Sequence, residues 1–194
     1  MEKKYKLTEE TINVANRTLY RIEALRDFCD VKKGDKGGFV EKEENLSQSD
    51  NCWIYYSAKV FENAEVFGNA EVFGNAEIRG NAEISDDVVV CDEAKVYSDA
   101  IVYGYAMVYD NAEVFGNAKV FDYADIYGNA MVFGNAKVYG SAEVCNNAKV
   151  YDNAEVFGKA KVFENADVYG NARIYGNARV YGYALVCDNT KLCD

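Results

Sequence analysis

The chain has 194 residues, 49% of them apolar, with a formal charge of −11, no histidine and no proline. That is enough apolar material for one continuous core without metals or disulfides, while the charge repels nucleic acid and anionic membrane. The missing histidine removes the commonest general base and metal ligand, and no stretch approaches the roughly 20 apolar residues of a membrane span.

Residues 1–50 are nearly balanced in charge and show no repeat. The start, Met1 to Leu7, is charged and lacks the apolar block of a signal peptide, so a cytoplasmic location is expected. Tyr20, Ile22 and Ala24 alternate with Arg21 and Glu23, the period of a strand, and the run Gly34 to Gly38 reads as a turn. This segment is expected to be a β-rich cap that pairs with the open edge of whatever follows and blocks end-to-end aggregation.

From Asn51 to Asp194 the sequence divides into 24 hexads without insertion or deletion. A typical unit is Asn63-Ala64-Glu65-Val66-Phe67-Gly68. Position four is aliphatic in every hexad; position two is alanine except at Cys52, Val88 and Thr190. Positions two and four point one way along a strand and positions three and five the other. One face is therefore small and aliphatic, and the opposite face pairs Glu or Lys with Phe or Tyr. Gly, Asp and Asn at positions six and one suit a bend with left-handed backbone, which implies a four-residue strand and a two-residue corner. A flat meander of two dozen such strands would expose the whole Ala/Val face. A coil of three strands per 18 residues buries it, giving about eight coils. Residues 18 apart then stack, so Asn63, Asn81, Asp99, Asn117 and Asn135 form a corner ladder and Lys59, Glu77, Lys95 and Glu113 alternate in sign up one flank.

An aliphatic residue followed four positions later by a small one, as in Val66 to Ala70, resembles the hexapeptide-repeat family. That resemblance implies an all-β, left-handed parallel β-helix over 51–194 behind the cap of 1–50; the handedness comes from the family alone. Thr18 to Phe28 and Gly37 to Ser47 also resemble the leader of small hexapeptide-repeat proteins of bacterial and prophage genomes, often labelled transferases without an assigned activity.

Hexapeptide-repeat acyltransferases use a histidine as base, and carbonic anhydrases of the same fold hold a metal with histidines. This chain has none, and its unbroken period leaves no projecting loop to shape a substrate site. The expectation is accordingly a chain that is not an enzyme and carries no cofactor or metal. In-register carboxylates, Glu65 with Glu83 and Asp125 with Glu143, could raise a pKa, but on an exposed flank solvation is the simpler reading. Cys91 and Cys145 lie three coils apart and Cys187 and Cys193 on different flanks, too far to bridge. Stacked Phe and Tyr columns are read as sheet stabilisers rather than a nucleic-acid platform.

Departures from the repeat point to contact surfaces. Val89 and Met107 replace charged outward residues, Tyr105 and Tyr123 replace corner asparagines, and Tyr109 and Tyr127 continue the same flank. Together they predict an apolar patch for a protein partner, foremost a second copy, as dimer or trimer, since side-by-side trimers are common in the family. Thr190, Leu192 and Asp194 form a second candidate contact at an open strand edge. The leading expectation is a non-enzymatic scaffold or interaction protein, an accessory or host-interaction factor of prophage type. In the first three coils acids outnumber bases ten to three, so Glu65, Glu71, Glu77, Glu83 and Asp87 form a candidate acidic surface for a nucleic-acid mimic that inhibits a basic protein. A small-ligand sponge and a degenerate acyltransferase with a site between subunits are further alternatives.

Overall fold

The computed structural model describes residues 3–194. Strand β1 (Tyr5–Val14) and strand β2 (Arg17–Ala24) form an antiparallel hairpin, turned at Ala15 and Asn16, both with positive φ. β2 pairs antiparallel with strand β3 (Lys36–Val40), and β3 pairs in parallel with Lys59–Val60. β3 thus joins the hairpin to the repeat. Its offset is 20 residues, Phe39 to Lys59 and Val40 to Val60, and Leu46 bridges Val66 at the same offset. Residues 36–50 therefore supply one more turn below the hexads, so the solenoid has about nine turns rather than eight.

Only Gly34 of the Gly34 to Gly38 run bends with left-handed backbone, at φ 94°. Gly37 and Gly38 lie inside β3 because the strand presses on the first coil. A Cβ at Gly37 would sit 2.5 Å from the Ile54 carbonyl oxygen, and one at Gly38 would meet the Ile54 side chain. Here glycine marks close approach rather than a turn.

Beyond β3 the architecture is a parallel β-solenoid with three strands per 18-residue coil. Flank one runs from Lys59–Val60 to Leu185–Val186, flank two from Trp53–Ile54 to Arg179–Val180, and flank three from Glu65–Val66 to Lys191–Cys193. Regular strand covers only positions three and four, two residues in most hexads instead of four, because positions two and five already turn toward the corners. Coil-to-coil bonding nevertheless extends into the bends: Asn63, Glu65 and Phe67 donate their amides to the carbonyls of Gly80, Ala82 and Ile84 at 2.8–3.0 Å. Positions two and four are buried from Cys52 to Val180, forming one core continuous with Trp53 of the first coil and Tyr5 and Ile22 of the cap.

The corner solves a specific problem. Every sixth position from Tyr56 to Asp188 has positive φ, which glycine adopts freely and Asn or Asp tolerate. Where an acid occupies that position, its carboxylate reaches up one coil and accepts the next sixth-position amide. Glu62 takes Gly80 N at 2.7 Å, Asp86 takes Gly104 N at 3.0 Å, Asp122 takes Gly140 N at 3.1 Å and Glu164 takes Gly182 N at 2.8 Å. Part of the large negative charge is thus backbone capping. Corner amides add the anticipated ladders, Asn63 to Asn81 to Asp99 and Asn117 to Asn135 to Asn153, at 2.8–3.2 Å.

Outward rings stack at 4.8–5.1 Å in two long columns, Tyr97 to Tyr169 on flank one and Tyr103 to Tyr175 on flank three. On flank one Lys59 pairs with Glu77 at 3.1 Å and Lys95 with Glu113 at 3.8 Å. At the cap end, fully buried Lys4 donates to the carbonyls of Asp50 and Cys52, both at 2.8 Å, and to Cys52 Sγ at 3.4 Å. Burial holds its proton affinity down, against the favourable proximity of Cys52 and Asp50.

Acid sensitivity should concentrate in the cap. Glu10 is held below the usual carboxylate range by Lys36 and Arg21, and Asp27 by the Lys33 amide and Lys32. In Glu41 burial opposes, but the Glu62 amide and Arg17 outweigh it; Asp50 is lowered by Ser47 and, against burial, by the Gly68 amide. A carboxyl whose folded pKa is depressed stabilises the fold above its unfolded pKa, and that contribution disappears as pH falls through the folded value. We therefore expect amides of Ala24, Leu25 and Gly34 to lose hydrogen-exchange protection below about pH 4 while those of Glu113 and Lys137 keep theirs.

Candidate functional site

Flank two gathers the departures from the repeat. Val89 and Met107 are paired in register on neighbouring coils, and Met107 pairs in turn with Asp125. Tyr105 and Tyr123 stack at 4.9 Å along the adjoining corner, and Tyr109 and Tyr127 stack at 5.0 Å on the other side of the same strands. All six side chains thus occupy one area. Tyr105, Met107 and Tyr123 are 54%, 40% and 62% exposed, while Val89, Tyr109 and Tyr127 are half-buried among them. An apolar cluster this open, rimmed by charge, is the signature of a contact surface.

At its centre the patch is not purely apolar. Asp125 and Glu143 sit in register on adjacent coils. Burial, and next the Glu143 charge, raise Asp125 above its usual pKa, with Lys161 opposing. The solvated reading of this pair is therefore corrected: Asp125 is half-buried, with neighbouring rings covering the flank. Lys161 pairs with Glu143 Oε1 at 2.6 Å, and the Tyr127 hydroxyl donates to Glu143 Oε2 at 3.4 Å. Burial, with Asp125 and Asp110 nearby, pushes Tyr109 up to about 12, and the Cys145 thiol together with burial raises Tyr127 as well. Below and above the two rings stand Cys91 and Cys145, both buried; Cys91 is pushed up to about 12 by burial and Asp92. All six cysteines are free.

The acidic residues are not brought together. Glu65 and Glu83 lie on flank three, Glu71 on flank two and Glu77 on flank one, where it is paired with Lys59. Asp87 is a corner residue that accepts Asn69 Nδ2 at 3.0 Å. Glu71 has its pKa raised, by burial first and then by Asp30 of the cap. At the C-terminal end Thr190, Leu192 and Asp194 are exposed, together with Tyr183 and Leu185, and Thr190 and Asp194 accept the amides of Arg173 and Asn177. The corner carboxylates that cap backbone amides were missed from sequence. Their signal was present: Glu62, Asp86 and Asp122 stand one coil below glycines. Among the described residues no cluster of His, Cys, Asp and Glu is placed to hold a metal, and no helix is long and apolar enough to cross a membrane.

Residues 124–140 and 172–188 match the model of the YdcK β-solenoid repeat family. The chain is also similar to a protein of Escherichia coli strain K12 described as an uncharacterized acetyltransferase, YdcK. Identity is 39% over 61 residues, covering 27% of this chain and 19% of that protein. The resemblance to hexapeptide-repeat proteins therefore holds in both repeat and fold. The expectation that the chain is not an enzyme is overturned by this relative, which is described as an uncharacterized acetyltransferase.

Replacing Glu143 by Gln removes the charge beside Asp125 but not the covering rings. The Asp125 carboxyl should then titrate at lower pH, read by carbon NMR; an unchanged midpoint would assign the whole shift to burial.

Proposed function

We propose that the chain acts as a rigid β-solenoid scaffold that binds protein through flank two, in the first place a second copy of itself. The observation that carries this reading is the patch itself. Val89, Tyr105, Met107 and Tyr123 occupy outward positions that elsewhere mostly hold Glu, Lys or Asn, beside the consensus rings Tyr109 and Tyr127, and the core makes no demand on them because positions two and four already close it. Exposed tyrosine and methionine on a rigid sheet also lose little conformational freedom on contact, which favours them at interfaces. Acids scattered over three flanks, many of them engaged in capping or ion pairs, give the nucleic-acid-mimic reading no continuous surface. At high ionic strength, Met107→Glu combined with Tyr105→Lys should reduce the mass measured by light scattering to that of the single chain. An oligomer of unchanged mass would remove flank two from the contact.

A second reading is favoured by the similarity to the acetyltransferase described above. Acyl transfer needs a base for the acceptor hydroxyl or amine. On a chain without histidine, two carboxylates on flank two have raised proton affinity, Glu71 beside the cap and Asp125, and the one within the patch is Asp125, flanked by Glu143 and the Tyr127 hydroxyl. A site there would be completed by a neighbouring copy, since the flank alone is flat. Acetyl transfer from a thioester to small hydroxyl and amine acceptors should then be abolished by Asp125→Asn and also by the Met107 and Tyr105 substitutions. Transfer that survives Asp125→Asn would place the base elsewhere.

A further inference from the structure

Over its first five coils flank three divides its outward charge by sign, whereas flank one alternates; flank two also sets like charges in register, Asp125 with Glu143 and Lys161 with Arg179. Over those five coils the outward third-position column of flank three reads Glu65, Glu83, Ile101, Lys119, Lys137, each in register with the next. Flank one alternates Lys59, Glu77, Lys95 and Glu113 and satisfies itself by ion pairs. Flank three instead places like charges directly opposite one another three times, Glu65 with Glu83, Lys119 with Lys137 and Arg173 with Lys191, which is destabilising within one chain. Among the described residues Glu65, Glu83 and Lys119 join no ion pair, and Lys137 meets only Glu155, at 3.5 Å.

Within these five coils the column has inverse symmetry about Ile101: one coil to either side stand Glu83 and Lys119, and two coils to either side Glu65 and Lys137; above them it continues Glu155, Arg173 and Lys191. We infer that flank three is the contact surface for a second copy of the chain, packed antiparallel about a two-fold axis that lies in the contact plane over Ile101. This inference uses a flank that the patch on flank two leaves free. The axis brings Glu83 against the partner copy's Lys119 and Glu65 against its Lys137, each twice by symmetry. Ile101 meets its own copy at the centre.

The fifth-position column fits the same axis. Tyr103 lies on it, stacked on Phe121 at 4.8 Å. Ser85 interrupts the rings one coil below Tyr103, so the bulk of Phe121 from one copy faces the gap at Ser85 of the other. Phe67, 37% exposed, faces Tyr139. The arrangement creates one like-charge meeting, Asp99 near its own copy at the corner, where Asp99 already accepts Asn81 Nδ2 at 2.8 Å.

Five coils at about 4.8 Å and a flank about 13 Å wide give a contact face on the order of 300 Å² per copy. A standard interface buries about 800 Å² per partner. Charge complementarity over so small a face produces a weak association that salt screens.

Sedimentation equilibrium of the full chain at low and high ionic strength tests this. At low salt the mass should rise with concentration to twice the mass held at high salt, where pairing through flank three is screened. Glu83→Lys alone, and Lys119→Glu alone, should each weaken pairing about tenfold or more. The double variant Glu83→Lys with Lys119→Glu should restore it, because each reversed charge again meets its opposite across the axis. Asp99→Asn should tighten it. These side chains are outward, and unchanged thermal unfolding checks that the variants fold. A single chain at all concentrations in low salt overturns the inference. So does a dimer that survives Glu83→Lys, including one broken only by the Met107 and Tyr105 substitutions, which leaves flank two as the contact.

Discussion

Everything in this molecule depends on the amide-to-carbonyl bond from one coil to the next. Odd-position amides donate to carbonyls 17 residues later, as Glu65 to Ala82 and Lys137 to Ala154, both at 2.9 Å. Such a ladder survives only while each coil is the same length as its neighbour, so an inserted residue would shift every later side chain between core and solvent. This constraint accounts for the unbroken hexads. It also accounts for the corners: three sharp bends per coil put every sixth residue at positive φ, and the amide there is satisfied from the coil below by a carboxylate wherever an acid precedes it.

The repeat made the solenoid legible from sequence because its two periods, two along a strand and eighteen between coils, each fix a direction. Alanine and the aliphatic fourth residue pointed inward, and most rungs built on the 18-residue offset, such as Asn63–Asn81 and Lys59–Glu77, are present, while Asp99–Asn117 and Glu77–Lys95 make no bond. The cap was legible only in outline. Gly37 and Gly38 looked like a turn because glycine has two uses, bending and close approach, and which one applies depends on Trp53, Ile54 and Ala58 packing against β3. The extra turn at residues 36–50 was hidden for a related reason: its offset of 20 rather than 18 breaks the period while keeping the hydrogen bonds.

Of the candidate site, the patch on flank two was readable as a set of departures from consensus, since departure implies exposure when the consensus position is outward. The chemistry at its centre was less readable. Asp125 and Glu143 could be placed side by side by register, but what raises Asp125 is partial burial on a flank of rings, and burial of an outward residue depends on how neighbouring side chains fold over it. Glu65 and Glu83 have the same spacing and remain exposed. The charge of the chain misled in a similar way, because a count of acids cannot distinguish a free surface carboxylate from Glu62, which holds the Gly80 amide at 2.7 Å.

A solenoid with a closed core leaves its three flanks free to differ. Alternation of sign, as on flank one, satisfies charge within the chain and asks nothing of a partner. Segregation of sign, as over the first five coils of flank three, leaves Glu65, Glu83 and Lys119 without an opposite charge on a neighbouring coil of their own column. Exposed aromatics over a charged centre, as on flank two, form a third condition, in which desolvation by a partner would raise the proton affinity of Asp125 further. A partner that covered Tyr105, Met107 and Tyr123 would by the same desolvation strengthen Asp125 as a base, so the two readings proposed for this flank, scaffold and acyl transfer, do not compete for different surfaces.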